Sequence, residues 1–231
     1  MAEMKIIALV PMRHTSERVP EKNFRILAGK PLYRHILTTL QKCPQISQIV
    51  VDTDSPVIAS GIRDHFPEVR LIDRPERLRA GEVPMNAVLM HDISLCEADI
   101  YLQTHCTNPL LRAATISQAI TAFQRGLPEY DSLFSVTRLQ TRLWNSDGSP
   151  LNHDPSVLLR TQDLTPVYEE NSCIYIFQKD IFLGRENRIG LKPMMFAIDG
   201  EEAWDIDEEL DFLIADRLMQ ERIHSQSERS S

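Results

Sequence analysis

Short, wholly apolar runs alternate along the chain with longer stretches whose apolar positions recur at helical spacing. Residues 5–10 (KIIALV) read as a fully buried strand, and polar residues 13–23 follow as a loop. Residues 33–42 set Ile36, Leu37 and Leu40 on one face of a helix. The series then repeats: strand 48–51 running into Asp52-Thr53-Asp54, helix 55–66, strand 69–72, helix 83–95, strand 99–103, helix 113–123 and strand 132–136. Strands separated by helical segments predict right-handed βαβ crossovers. The expected fold class is therefore α/β, a mainly parallel sheet covered by helices on both faces.

The alternation fails over residues 137–166, which are rich in turn formers and polar side chains, with Asp147-Gly148 and several prolines. The segment is too long for an ordinary connection. It reads as an inserted arm, lying over the site or onto a second subunit. Strands return at 172–177 and 194–198, and a helix at 208–222 closes the fold. One domain over residues 1–223 is expected, with residues 224–231 as a disordered tail.

Charge narrows the function. Against 25 Lys and Arg stand 33 Asp and Glu, a net charge of −8, so there is no positive field to coat a nucleic acid or an anionic membrane. The first apolar stretch, residues 6–11, is shorter than the core of a secretory signal. The four cysteines (Cys43, Cys96, Cys106 and Cys173) are widely spaced and form no zinc pattern. Free thiols in a reducing cytoplasm are the expectation.

In an open parallel sheet, ligands gather beyond the carboxyl ends of the strands. The first loop there, VPMRHTSERVPEKN (residues 10–23), packs Arg13, Arg18 and Lys22 into ten residues of an acidic protein. Such a loop suits a polyphosphate, and a solvated surface loop is the alternative use of the same charges. It is neither a G-x-G-x-x-G fingerprint nor a Walker A loop.

That loop, with the run Gly29-Lys30-Pro31-Leu32, resembles the signature of the acylneuraminate cytidylyltransferase family. The family's usual form is P-A-R-x-G-S-K-x-x-P-x-K-N. Arg13, Ser16, Pro20, Lys22 and Asn23 match it, while Met12, His14, Thr15, Glu17 and Arg18 depart from it. Further blocks are similar in the family's order: Asp52-Thr53-Asp54, Arg74-Pro75 through Leu78, Gln103 through Pro109, Asp131 through Val136, Glu170-Asn171 through Ile176, and Trp204-Asp205-Ile206-Asp207.

The resemblance implies a Rossmann-like nucleotidyltransferase that couples CTP to a 3-deoxy-ulosonic sugar acid, giving a CMP-sugar and pyrophosphate. It implies Arg13, Ser16, Arg18, Lys22, Asn23 and Arg74 around the nucleotide, with Arg13, Lys22 and Asp207 serving the chemistry. It implies Mg²⁺ on Asp205 and Asp207. On an extended segment, residues two apart point the same way, so both carboxylates face one site while Ile206 faces the core. Asp207 has also the side chain of a helix cap, and Asp211 is expected at the surface or behind the site. Arg160 is the candidate for the acceptor's carboxylate, ahead of Arg138 and Arg142, with Gln103 and Asn171 as polar contacts. His105 is either a contact or a structural histidine. A homodimer joined through the arm is implied, with Trp144 as an anchor or a local packing residue. The alternatives are the same chemistry on 3-deoxy-manno-octulosonate or another acidic acceptor, and a non-catalytic nucleotide-binding relative.

Overall fold

Strand β1 (Ile6–Leu9) is buried along its whole length, because it lies inside a sheet covered on both sides. Ile6, Ala8 and Val10 enter one core while Ile7 and Leu9 enter the other, so a continuous apolar run serves both faces. In the computed structural model, which describes residues 4–229, β4 (Gln48–Thr53) and β6 (Ile100–Gln103) flank β1 in parallel. β5 (Arg70–Asp73) adds beyond β4, also parallel. On the other side β8 (Val167–Gln178) runs antiparallel to β6 and to β7 (Ser132–Leu139), and β9 (Pro193–Ile198) closes the edge parallel to β7. The order is β5-β4-β1-β6-β8-β7-β9, and β8 alone is reversed.

Helices α1 (Tyr33–Gln41), α2 (Pro56–His65) and α4 (Ala113–Gly126) fill one face. Helices α3 (Met85–Leu95) and α5 (Lys179–Arg185) cover the other. A third core gathers Val19, Leu27, Leu32, Leu110, Ile206 and Phe212 under α6 (Glu209–Arg229). The small hairpin β2 (Ile26–Leu27) and β3 (Lys30–Pro31) turns through Ala28 and Gly29, both at positive φ, the geometry of a tight two-residue turn.

Two departures from the expected elements have clear causes. Residues 224–229 are helical rather than a disordered tail: they contain no Gly or Pro, and His224 lies 3.2 Å from Glu228 one turn on. Residues 230 and 231 lie outside the described part. The arm is the tip of a long hairpin, since β7 runs on to Leu139 and β8 begins at Val167, with Leu139 opposite Val167. The register of that ladder jumps between Phe134 and Val136, where Asn171–Ile174 bulge out of β8 and Ser172 takes a positive φ. All four cysteines are buried and free.

Candidate functional site

The carboxyl ends of β1, β4 and β6 open into a cleft of about 630 Å³. Its walls are the first loop, the segment around residues 78–88, the β6 end at His105–Thr107, and Asp207. Arg13, Ser16, Arg18, Lys22, Asn23, Arg74 and Asp207 all line it. A second depression, of about 860 Å³, lies beside α1 and α6. It holds none of the first-loop residues, and its Arg112 and Arg222 are paired with Glu201.

The first loop is held from below. Met12 is buried and donates its N–H to Asp52 at 2.8 Å, while the His14 N–H goes to Asp54 Oδ1 at 2.7 Å. His14 Nδ1 lies 2.8 Å from Ser55 Oγ, and its ring stacks on Phe24. Two of the departures from the family pattern are thus anchors to the end of β4, and they leave Arg13 and Arg18 facing the cleft. Asn23 Nδ2 donates to the Arg13 carbonyl at 2.7 Å, fixing the loop's two ends together. Across the cleft Gly81 comes close: a β-carbon there would stand 3.2 Å from both Arg13 Nη1 and Glu17 Oε1.

Beneath Arg74 lies a buried acid pair. Arg74 donates through Nε to Asp52, and both side chains are almost wholly buried. Asp92, itself 1% exposed, faces Asp52. Burial, then the charge of Asp52 and a hydrogen bond to it, pushes Asp92 up to about 9. Asp52 and Asp92 each keep one buried oxygen without an N–H or O–H partner, as two carboxyls sharing a proton do.

The 205–207 segment is pinned by its middle residue. Ile206 is fully buried, its N–H donates to the Thr107 carbonyl at 3.0 Å, and its own carbonyl accepts from Lys22 Nζ. Asp207 Oδ1 takes a 2.6 Å hydrogen bond from Arg18 and lies 3.9 Å from Lys22 Nζ. Asp211 Oδ2 accepts from the N–H groups of Asp207 and Glu208, so Asp211 caps α6 and the Asp207 side chain is left to the cleft. Asp205 Oδ1 is buried with no hydrogen-bond partner. Burial, and next in the same direction the charge of Asp207, raises its pKa, while Thr107 and Lys22 oppose. Among the described residues no three His, Cys, Asp or Glu side chains converge on a point. A cation held by Asp207 and the adjacent Asp205 would have two carboxylates and would complete its shell from substrate and water, the ligand chemistry that Mg²⁺ takes.

The remaining predicted residues are placed elsewhere. Arg160 sits on the exposed arm, bidentate on Asp163 at 2.7 and 3.2 Å, apart from the cleft walls. Asn171 spends its amide inside the β8 bulge, accepting from Ser135 Oγ and donating to Thr137. Gln103 is fully buried at the β6 end and meets His105 Nε2 at 2.8 Å and Arg188 Nη1 at 2.6 Å. Burial first, then Arg188 and Lys22, lower His105 to about 4, so its ring is neutral. Arg188 escaped the sequence reading, because it follows α5, a short helix with no strong periodic signal.

Fold and cleft together define a Rossmann-like α/β protein, a mainly parallel sheet with a cationic loop at its first strand end and Asp207 facing it. The chain belongs to the cytidylyltransferase family, whose model matches residues 7–230. It is 25% identical over 224 residues to the N-acylneuraminate cytidylyltransferase of Escherichia coli O18:K1:H7, covering 94% of this chain and 53% of that protein. The chain thus spans about half the length of that relative. It is 24% identical to the post-translational flagellin modification protein B of Campylobacter coli, covering 94% of this chain and 96% of that one. A solved CMP:2-keto-3-deoxy-manno-octonic acid synthetase, complexed with CTP, superposes with a TM-score of 0.69 at 16% identity, covering 94% and 99% of the two chains.

Proposed function

We propose that this protein is an Mg²⁺-dependent cytidylyltransferase that moves CMP from CTP to a 3-deoxy-ulosonic sugar acid of the nonulosonic type, with pyrophosphate as co-product. The observation that carries this is the convergence of Arg13, Arg18 and Lys22 with Asp207 in one cleft at the sheet end, from opposite ends of the chain, with Asp205 next to Asp207 behind it. Family membership and the relatives named above support the same reading.

An acceptor hydroxyl oxygen bonds to the α-phosphorus as the bond to the bridging oxygen of pyrophosphate breaks. Charge grows on the phosphate oxygens as this happens. Arg13 and Lys22 supply fixed positive charge there, and Lys22 is pre-aligned by its bond to the Ile206 carbonyl. Asn23 and the His14 anchors keep the loop from reorganising during the step. Leu78, Val83, Met85 and Val88 give the cleft an apolar wall for the base, with Arg74 at its edge. Asp205 and Asp207 would hold Mg²⁺, which when bound neutralises phosphate charge.

The protein acts as a homodimer through its arm, and four buried free thiols suit a reducing cytoplasm. No described helix is long and apolar enough to cross a membrane. A second acceptor, 3-deoxy-manno-octulosonate, is favoured by a 26% identical 3-deoxy-manno-octulosonate cytidylyltransferase of Chlorobium phaeobacteroides, which covers 83% of this chain. One assay tests both: pyrophosphate release from CTP across a panel of ulosonic acids. Release is expected only with CTP, acid and Mg²⁺ together. Absence of both release and CTP binding across the panel overturns the reading.

A further inference from the structure

Arg188 is a half-buried cation whose nearest contacts are neutral groups, while Glu170 favours its charge from beyond salt-bridge distance. Its guanidinium carbon lies 3.6 Å from the centre of the Tyr175 ring, and Nη1 donates to Gln103 Oε1 at 2.6 Å. Among the described residues no carboxylate comes within 4.0 Å of its nitrogens. Glu170, the nearest acid of consequence, is exposed and takes its hydrogen bond from the Tyr175 hydroxyl instead. A guanidinium stays charged in a protein and carries five N–H donors, and Gln103 and Tyr175 engage only some of them. Its neutral setting costs free energy that an arriving anion would offset.

The position of this residue relative to the cleft follows from its neighbours. Gln103 Oε1 is taken by Arg188, which turns Gln103 Nε2 toward His105 Nε2 as a donor, and His105 lines the cleft. Other cations nearby have partners or tasks. Arg18 is on Asp207, Arg74 on Asp52, and Arg160 on Asp163. Arg13 and Lys22 face the end assigned to the triphosphate. The cation left for a second anion is Arg188, at the β6–β8 end.

We propose that Arg188 binds the carboxylate of the acceptor, its fork held flat by Tyr175 and aimed by Gln103. This rests on the proposed function, in which the acceptor is an acid. It makes residues 103, 175 and 188 one recognition unit that selects acids over neutral sugars. An arginine fork pairs with both oxygens of a carboxylate, and a lysine does not reproduce that geometry.

The test is steady-state kinetics of R188Q and R188K in the full chain, with CTP and acceptor varied separately. The acceptor is supplied as the acid and as its primary carboxamide. R188Q removes a half-buried charge that has no carboxylate within salt-bridge distance among the described residues and keeps an amide donor for Gln103, so its thermal midpoint should stay close to wild type. Its acceptor KM for the acid should rise about 10- to 100-fold, as expected when a charged hydrogen-bonded pair is lost. CTP KM and turnover of the carboxamide should stay within about twofold, and R188K should fall between R188Q and wild type for the acid. An unchanged acceptor KM in both variants, or equal losses on acid and carboxamide, overturns the assignment while leaving the cytidylyltransferase reading standing. A wild-type protein that turns over none of the acids overturns both.

Discussion

Arg18 and Asp207 are 189 positions apart in the chain and 2.6 Å apart across the cleft. Both side chains are substantially exposed, at 63% and 47%. Such a pair contributes about 0–1 kcal/mol to folding, so its value lies in what it can exchange for. With nucleotide present, Arg18 can trade one carboxylate oxygen for phosphate oxygens and free Asp207.

Replacing Arg18 by Met should therefore separate binding from stability. The unfolding free energy should change by less than about 1 kcal/mol. The CTP KM should rise about 10-fold, the loss expected for one charge-assisted contact. Urea titrations and initial rates check the two halves independently. A variant with wild-type CTP KM would remove Arg18 from the nucleotide site.

Asp205 offers a sharper contrast between folding and chemistry. Its Oδ1 is buried without a partner, and burial raises its pKa, so the native fold holds this carboxylate against its preference. Asp205→Asn keeps the shape and removes the charge. We expect equal or higher thermal stability, loss of the Mg²⁺-induced shift in melting temperature seen with CTP, and turnover lower by about 100-fold or more. Unchanged Mg²⁺ dependence of turnover would sink the assignment. Chelation with EDTA should abolish activity in the wild type and leave the fold in place.

The two parts of the site differed in how far the chain itself disclosed them. Arg13, Lys22 and Asn23 were readable because one loop at a strand end carries all of them. Asp207 was readable because it follows Ile206, which enters the core, and it lines the cleft, whereas Asp205 keeps one oxygen buried behind it. The strands up to residue 136 announced themselves by alternation with helices of ordinary length. What failed were features set by long-range pairing. The Asn171–Ile174 bulge depends on register with β7, and it turns Asn171 inward to Ser135 and Thr137. Arg188 carries meaning only once Gln103 and Tyr175 are brought beside it. Composition pointed to a hairpin excursion, but not to how far its strands run, to Leu139 and from Val167, since polar strand ends lack a period-two signal.

The acid pair under Arg74 sets a pH signature. Burial and Asp52 raise Asp92 to about 9, so the folded chain holds a proton that the unfolded chain has already released. Stability from this group is complete below the ordinary carboxyl pKa of 3.8 and is lost as pH rises toward 9. His35 and His105 act oppositely: burial lowers both to about 4, so their stabilisation is full above 6.5 and is lost as pH falls toward 4. Between about pH 7.5 and 8 the histidines are nearly silent in both states and the buried thiols have barely begun to titrate. In that window wild-type stability should fall with pH by up to about 1 kcal/mol per unit on account of Asp92. Denaturant midpoints of Asp92→Asn against wild type isolate the Asp92 part, and parallel curves over this window would contradict it.

The arm makes the last prediction. Leu158 is 91% exposed, and Trp144, Leu151 and Val157 are each more than half exposed on the same hairpin tip. Trp144 meets the His153 ring edge-on, at 4.9 Å, and stays 54% exposed. Four large apolar side chains on a projecting element are costly in water unless a partner surface covers them. A homodimer covering about 800 Å² per subunit would do so. Sedimentation at micromolar concentration should give a dimer, and Leu158→Asp should shift it toward monomer. Because Leu158 is almost fully exposed on its own protomer, that change should leave the melting curve of the isolated protomer unaltered. A wild-type monomer removes the dimer from the proposed function. A Leu158→Asp protein that stays fully dimeric moves the interface off the arm.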